Sequence, residues 1–248
     1  GKIPFTLMHI DTGFKFREMI EFRDYYTKKV GADLIVHKNE EPEAQKFGPQ
    51  DAHTENYIYY KKTKPLLEGI KKYGFDGAIG GSRREEEKAR AKERIFSVRT
   101  DLGGWDPKNQ RPELWHLYNA HLNPGQTMRI FPLTNWTEID IWAYIKKENI
   151  EIVPLYFAKE RQVVKRNNIW VRIDEFTQPK DGEEVVNMVC RYRTLGCSPS
   201  TGAVPSTASS IDEILEEVAS TSKSERETRA IDTTSDDAME RKKKEGYF

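Results

Sequence analysis

Short apolar runs alternate with helix-length amphipathic stretches through the front half of this chain, and that alternation constrains the fold more than any other feature. Residues 6–10 (TLMHI) form an apolar run that stops at Asp11, Thr12 and Gly13. A helical stretch follows from 14 to about 30, with Phe16, Met19, Ile20 and Tyr26 near one face, and Gly31 ends it. Residues 33–37 (DLIVH) read as a second strand. Pro42, Gly48 and Pro49 make residues 39–52 a loop. The pattern predicts a helix over 53–73, kinked or split by Pro65, a third strand over 76–80, and a charged helix over about 83–99. Residues 128–133 (MRIFPL) are the fourth strand, and Thr137 is placed to cap a fourth helix. Strands alternating with helices of this length predict crossover units on a parallel sheet, an α/β fold of Rossmann-like type.

Beyond Pro154 the pattern changes. Residues 162–164 and 169–173 are strand-like pieces around the turn residues Asn167, Asn168, Asp181 and Gly182, which predicts an inserted hairpin or flap. Residues 210–219 read as a short amphipathic helix capped by Ser210, and residues 222–248 as an almost wholly polar tail. We therefore expect an α/β domain over 1–150 and a C-terminal region over 151–248.

Lys and Arg total 40, as do Asp and Glu, so the formal net charge is zero, which argues against a general nucleic-acid binder. There is no run of 18 apolar residues, which excludes an ordinary transmembrane helix, and the first residues do not resemble a signal peptide. With only two cysteines, Cys190 and Cys197, a disulfide-built scaffold is excluded. A cytoplasmic protein is the expectation.

In a parallel sheet, ligands sit at the carboxyl ends of the strands. Two segments occupy that position. The first is Asp11-Thr12-Gly13, which either borders a ligand or simply caps the next helix. The second runs from Gly80 and Gly81 through Arg83, Arg84, Glu87, Arg90 and Arg94. Two glycines allow close backbone approach to an anion, and the arginines on one helical face could grip it. The other reading is a solvated, ion-paired helix. Against it, Arg83 and Arg84 stand in the first turn, where the helix dipole disfavours cations. Both arginines are expected at exposed positions, so that removing either spares the fold. A third segment packs Arg191, Arg193 and Thr194 with Gly196 and Cys197; it suits an oxyanion pocket or a tight loop around a buried structural cysteine. The two cysteines and five histidines show no metal-ligand spacing, so no metal site is expected, and neither P-loop nor dinucleotide fingerprint occurs.

The segments HIDTGFKFREM (9–19), GGSRREEEKARAKERIFS (80–97), WDPKNQRPELW (105–115), FPLTNWTEIDIWAYI (131–145), IVPLYFAKER (152–161), RYRTLGC (191–197) and MERKKKEGYF (239–248) closely resemble the small subunits of bacterial sulfate adenylyltransferase. That family lies in the phosphoadenylyl-sulfate reductase-like branch of the ATP-pyrophosphatase group. The resemblance implies an adenine-nucleotide α-hydrolase-like Rossmann domain that makes adenylyl sulfate and pyrophosphate from ATP and sulfate. It also implies a GTPase large subunit as partner, Mg²⁺ entering with ATP, and no tightly bound cofactor. By resemblance Asp11, Thr12, Gly13, Gly80, Gly81, Arg94, Arg191, Arg193 and Thr194 contact nucleotide or sulfate, with Arg83, Arg84 and Arg90 as the catalytic cations. Neither cysteine is expected to be catalytic. The family also has a strand and an S-x-G-K-D-S phosphate loop some forty residues before the HIDTG segment. These 248 residues do not include it, and without it the chain is expected to be inactive and poorly stable. Phe14 stands where the family usually has Trp, and Ser198 and Ser200 where it tends to have Tyr and Leu. Two alternatives remain. A phosphoadenylyl-sulfate or adenylyl-sulfate reductase would need an E-C-G-L-H segment, which is absent. A non-catalytic binding subunit of the GTPase would need none of this chemistry.

Overall fold

The structure, a computed structural model, describes residues 3–86, 90, 93–105, 110 and 112–220. Strand β1 (Leu7–Ile10), helix α1 (Arg17–Val30) and strand β2 (Leu34–His37) form the first crossover unit. The strands pair in parallel, with Leu7 opposite Leu34 and Ile10 opposite His37. Gly31 ends α1 with φ 66°, donating its N–H to the carbonyls of Lys28 and Thr27. Only glycine takes that conformation without cost. Helical chain resumes in α2 (Pro42–Gln45) and α3 (Glu55–Ile58), the latter capped by Thr54 through the Tyr57 N–H. A π-helical turn at Tyr59–Thr63 then leads into α4 (Lys64–Lys72). The predicted 53–73 helix is thus continuous but carries a bulge. Pro65 follows the π-turn directly, and the bulge relieves the hydrogen-bond ladder where its missing N–H cannot donate.

Strands β3 (Gly77–Ile79), β4 (Phe96–Arg99) and β5 (Thr127–Ile130) form a second sheet in the order β3-β5-β4. β3 runs parallel to β5 and β4 antiparallel to it. The charged helix predicted over 83–99 is therefore corrected: residues 84–86 form a turn and 96–99 a strand. Glu and Arg favour helix locally, but pairing with β5 and burial of Ser97, Val98 and Arg99 override that preference. With the helix goes the dipole argument about Arg83 and Arg84. Helix α5 (Glu138–Glu148) starts as predicted, with Thr137 and Asp140 in a reciprocal capping box.

The expected parallel pairing is present as two separate ladders. A cavity of about 500 Å³ lies between them, lined by residues 5–8 of the β1 side and 77–81 of the β3 side. Among the described residues, β1 pairs only with β2, and β3 only with β5.

The predicted flap is a four-stranded antiparallel sheet in the order β7-β6-β8-β9, built from β6 (Lys159–Arg166), β7 (Ile169–Arg172), β8 (Val186–Arg191) and β9 (Val204–Pro205). Asn167 and Asn168, at φ 48° and 62°, make the tight β6–β7 turn. Helix α6 (Ile211–Ser220) packs Ile214 and Val218 against Trp142 of α5. A second core cluster joins Phe16, just before α1, to Leu155, Val163, Cys190 and Tyr192. Both clusters draw on residues from each side of position 150. The predicted tail over 222–248 lies outside the described residues. Among the described residues no helix is long and apolar enough to cross a membrane.

His9, on β1, has a ring pulled down to about 4 from its ordinary 6.5, first by burial and then by Lys15 and Arg23, with Asp11 and Asp24 opposing. The unfolded chain therefore takes up a proton that the native state refuses. Its contribution to stability is complete above about 6.5 and is lost as the pH falls from there towards 4. Denaturant midpoints measured over that window should fall more steeply for the wild type than for His9→Gln. Parallel curves would remove His9 as the cause.

Candidate functional site at the strand ends

At the end of β1 the chain turns sharply. The Asp11 carboxylate accepts the Gly13 N–H at 2.8 Å, and Gly13 takes φ 83°. Neither Asp11 nor Thr12 caps α1: its N-cap is Phe16, and no side chain bonds the helix end. The capping reading of this segment is thereby set aside, leaving both side chains for other partners. Thr12 is buried, and its hydroxyl lies 3.2 Å from the Cys197 sulfur. The chain after Cys197 is tied to the same turn, since the Ser198 N–H donates to the Phe14 carbonyl at 2.8 Å. The π-turn delivers Lys61 and Lys62 to this place. Lys61 is buried with its ammonium 5.8 Å from the centre of the Phe14 ring, and Lys62 stands over Tyr57. A π-turn adds one residue to the helix and so re-aims the side chains that follow, which is why such bulges recur at functional sites.

The second strand end carries Gly80 and Gly81. A Cβ added at Gly81 would meet nothing within 4 Å, so this backbone faces open space. It opens onto a cavity of about 360 Å³ that also receives Arg83, Arg193 and Thr194. Two of the predicted segments, far apart in sequence, thus converge. Their arginines are tied to carboxylates. Arg83 is 4% exposed and contacts Glu86 at 3.5 Å and Glu85 at 3.4 Å. Arg90, also buried, reaches Glu86 at 3.4 Å. Arg193 is bonded to Glu138, at the start of α5. Arg84 hydrogen-bonds the Glu93 carbonyl at 3.0 Å, while its own N–H donates to the Thr134 carbonyl. The expectation of an exposed Arg83 is corrected: it is part of a buried network, so truncating it takes one of two guanidinium partners from Glu86.

Arg191 lies elsewhere. It is fully buried and bonds Glu217 of α6 at 2.6 Å, serving as a brace between β8 and α6. Arg94 is half-buried beside Glu93, and Glu87 falls outside the described residues. Among the described residues no cluster of three or more metal-ligating side chains occurs.

Residues 2–203 match the phosphoadenosine phosphosulfate reductase domain family. Three curated relatives align with the whole of this chain. They come from Pseudoalteromonas translucida (53% identity, 83% of the relative covered), Phocaeicola vulgatus (55%, 82%) and Shewanella amazonensis (52%, 82%). Each is named sulfate adenylyltransferase subunit 2. The chain belongs to the sulfate adenylyltransferase subunit 2 family. The name of these relatives implies a partner subunit.

In this member of the family, sequence reasoning missed Lys61, Lys62 and the chemical state of Cys197. The lysines sit in a run, KKTK (61–64), that reads as a solvated helix face, and only the π-turn buries one of them. Burial alone would push the Cys197 thiol up. Lys62 and Lys15, with the hydroxyls of Thr12 and Tyr57, overcome it and bring the group to about 6. Cys190, buried beside apolar neighbours, is pushed up instead. A thiol lowered from 9 to about 6 stabilises the fold in full above the unfolded value. That contribution is lost as the pH falls through the folded one. In a Cys190→Ser background, ultraviolet thiolate absorbance should therefore rise near pH 6. A rise only near the ordinary thiol value would refute the arrangement.

Proposed function

We propose that this chain is the adenylyl-transferring subunit that joins ATP and sulfate into adenylyl sulfate and releases pyrophosphate. The observation that carries this reading is the 52–55% identity, over the whole chain, to relatives named for that activity. The site chemistry agrees with it. Sulfate is a weak nucleophile and already a dianion, so no general base is needed. Catalysis must come from alignment and from neutralising charge on the phosphates as the bond to pyrophosphate breaks. Asp11, Thr12 and Gly13 border the nucleotide in this reading. Gly80 and Gly81 bring the backbone close to its phosphates. Arg83, Arg84 and Arg90 supply positive charge, with Lys61 and Lys62 added at the β1 end. Arg193 and Thr194 line the same cavity as Gly81 and Arg83. Mg²⁺ enters bound to ATP as part of the substrate. The partner is a GTPase large subunit whose hydrolysis drives an uphill synthesis.

Against the reductase alternative, Cys197 is enclosed by Thr12 and Tyr57 rather than presented to solvent.

Labelled sulfate, ATP and Mg²⁺, supplied with a subunit that carries the S-x-G-K-D-S phosphate loop ahead of these residues and with its GTPase partner, should yield adenylyl sulfate, and more of it when GTP is hydrolysed. Arg84→Ala should weaken ATP binding by about 1.5–3 kcal/mol with little change in thermal stability. Arg83→Ala should weaken binding and also cost about 1–3 kcal/mol of stability, because Glu86 loses a buried partner. Absence of product with an active partner would refute the function. Unchanged ATP affinity in both variants would refute the placement of the arginines.

A further inference from the structure

Arg129 is the exception among the buried arginines. It lies in the middle of β5, 3% exposed, and all three of its guanidinium nitrogens are buried without a hydrogen-bond partner. Its cross-strand neighbours are Ala78 of β3 and Ser97 of β4. The carboxylate whose charge acts on it, Glu93, is already engaged: it accepts from Arg99 at 2.8 Å and from the Ser97 hydroxyl at 3.1 Å. Arg99 also donates to that hydroxyl, at 2.5 Å. Burial and the neighbouring Arg99 together draw the Arg129 guanidinium down to about 10, with Glu93 opposing. Two guanidinium groups therefore share one carboxylate in a dry environment. An uncompensated buried cation is among the costliest features a fold can hold, and a chain keeps one where an anion completes it.

The surroundings say what kind of anion. Residues on one strand alternate between faces, so Ala78, Arg129 and Ser97 share a face with Gly80, whose Cβ position meets the Phe131 ring at 3.4 Å. The unpaired guanidinium thus lies one strand-step behind the glycine segment. Its planar fork of N–H donors matches the paired oxygens of a tetrahedral oxyanion. We propose that Arg129, with Arg99 beside it, forms the floor of an oxyanion subsite that takes a sulfate-class tetrahedral anion. That the anion is the sulfate co-substrate, rather than a phosphate group, rests on the adenylyl-transfer reading; the subsite itself does not.

Thermal unfolding of the full chain, followed against sodium sulfate and against sodium chloride at equal ionic strength, tests this directly. Sulfate stabilises any protein weakly and without saturation by exclusion from its surface, so the signal is the saturable part. The wild type should show it. In Arg129→Met the apparent affinity should fall about ten- to hundred-fold, and Arg129→Lys should keep part of it. A parallel titration with pyrophosphate separates the two sources. Saturation by pyrophosphate alone, lost in the Met variant, keeps the subsite and assigns it to the leaving group. A non-saturating response in the wild type, or equal saturation in wild type and Met variant, overturns the proposal. Loss of sulfate binding in Arg129→Met from a wild type that makes no adenylyl sulfate would instead overturn the functional reading and leave the subsite standing.

Discussion

Buried arginine held by a carboxylate, in some pairs local and in two from a distant segment, is the interaction on which this molecule depends. Arg99 with Glu93, Arg193 with Glu138, Arg191 with Glu217, and Arg83 and Arg90 with Glu86 each put a guanidinium below about one-tenth exposure. Such pairs add little net stability over an apolar core, because desolvation consumes most of the attraction. Breaking one is another matter, since the remaining charge is then stranded. These pairs fix which loop meets which strand end. Glu138 ties the start of α5 to the 191–197 segment, and Glu217 ties α6 to β8.

Against that paired background, the departures are where the proposed reading puts the anions. The cations gather at the end of β1 and the open backbone lies at Gly81, while the unsatisfied guanidinium of Arg129 stands within β5, opposite Ala78 of the strand that leads to the glycines. The paired arginines keep their geometry when the site is empty, so little reorganisation accompanies binding. Cys197 belongs to the same economy of charge. It is a buried anion-former set among lysines and hydroxyls, and it links the Thr12 turn to the 191–197 segment.

Much of this was legible in the sequence. The crossover pattern, Gly31 as a helix stop, the Thr137 cap and the Asn167–Asn168 turn each rest on local chemistry, and local chemistry is what a sequence displays. The strand at Phe96–Arg99 was not, because it follows a Glu- and Arg-rich run that favours helix and its partner β5 lies about thirty positions further along the chain. The burial of Arg83 and Arg90 was hidden for the same reason: their carboxylates read equally well as a solvated ion-pair ladder. The role of Lys61 depended on a one-residue π-turn that leaves no mark in composition. Arg129 stood inside an apolar strand, MRIFPL, and only the structure shows that its guanidinium is buried without a hydrogen-bond partner.

The central claim is that this site works by positioning and charge neutralisation, with sulfate attacking the α-phosphorus directly. Adenylyl transfer from ATP made chiral at that phosphorus measures it. Direct displacement predicts inversion of configuration in the adenylyl sulfate formed. Retention would require a covalent adenylyl-enzyme, with a nucleophile such as Cys197 taking part, and would contradict the account.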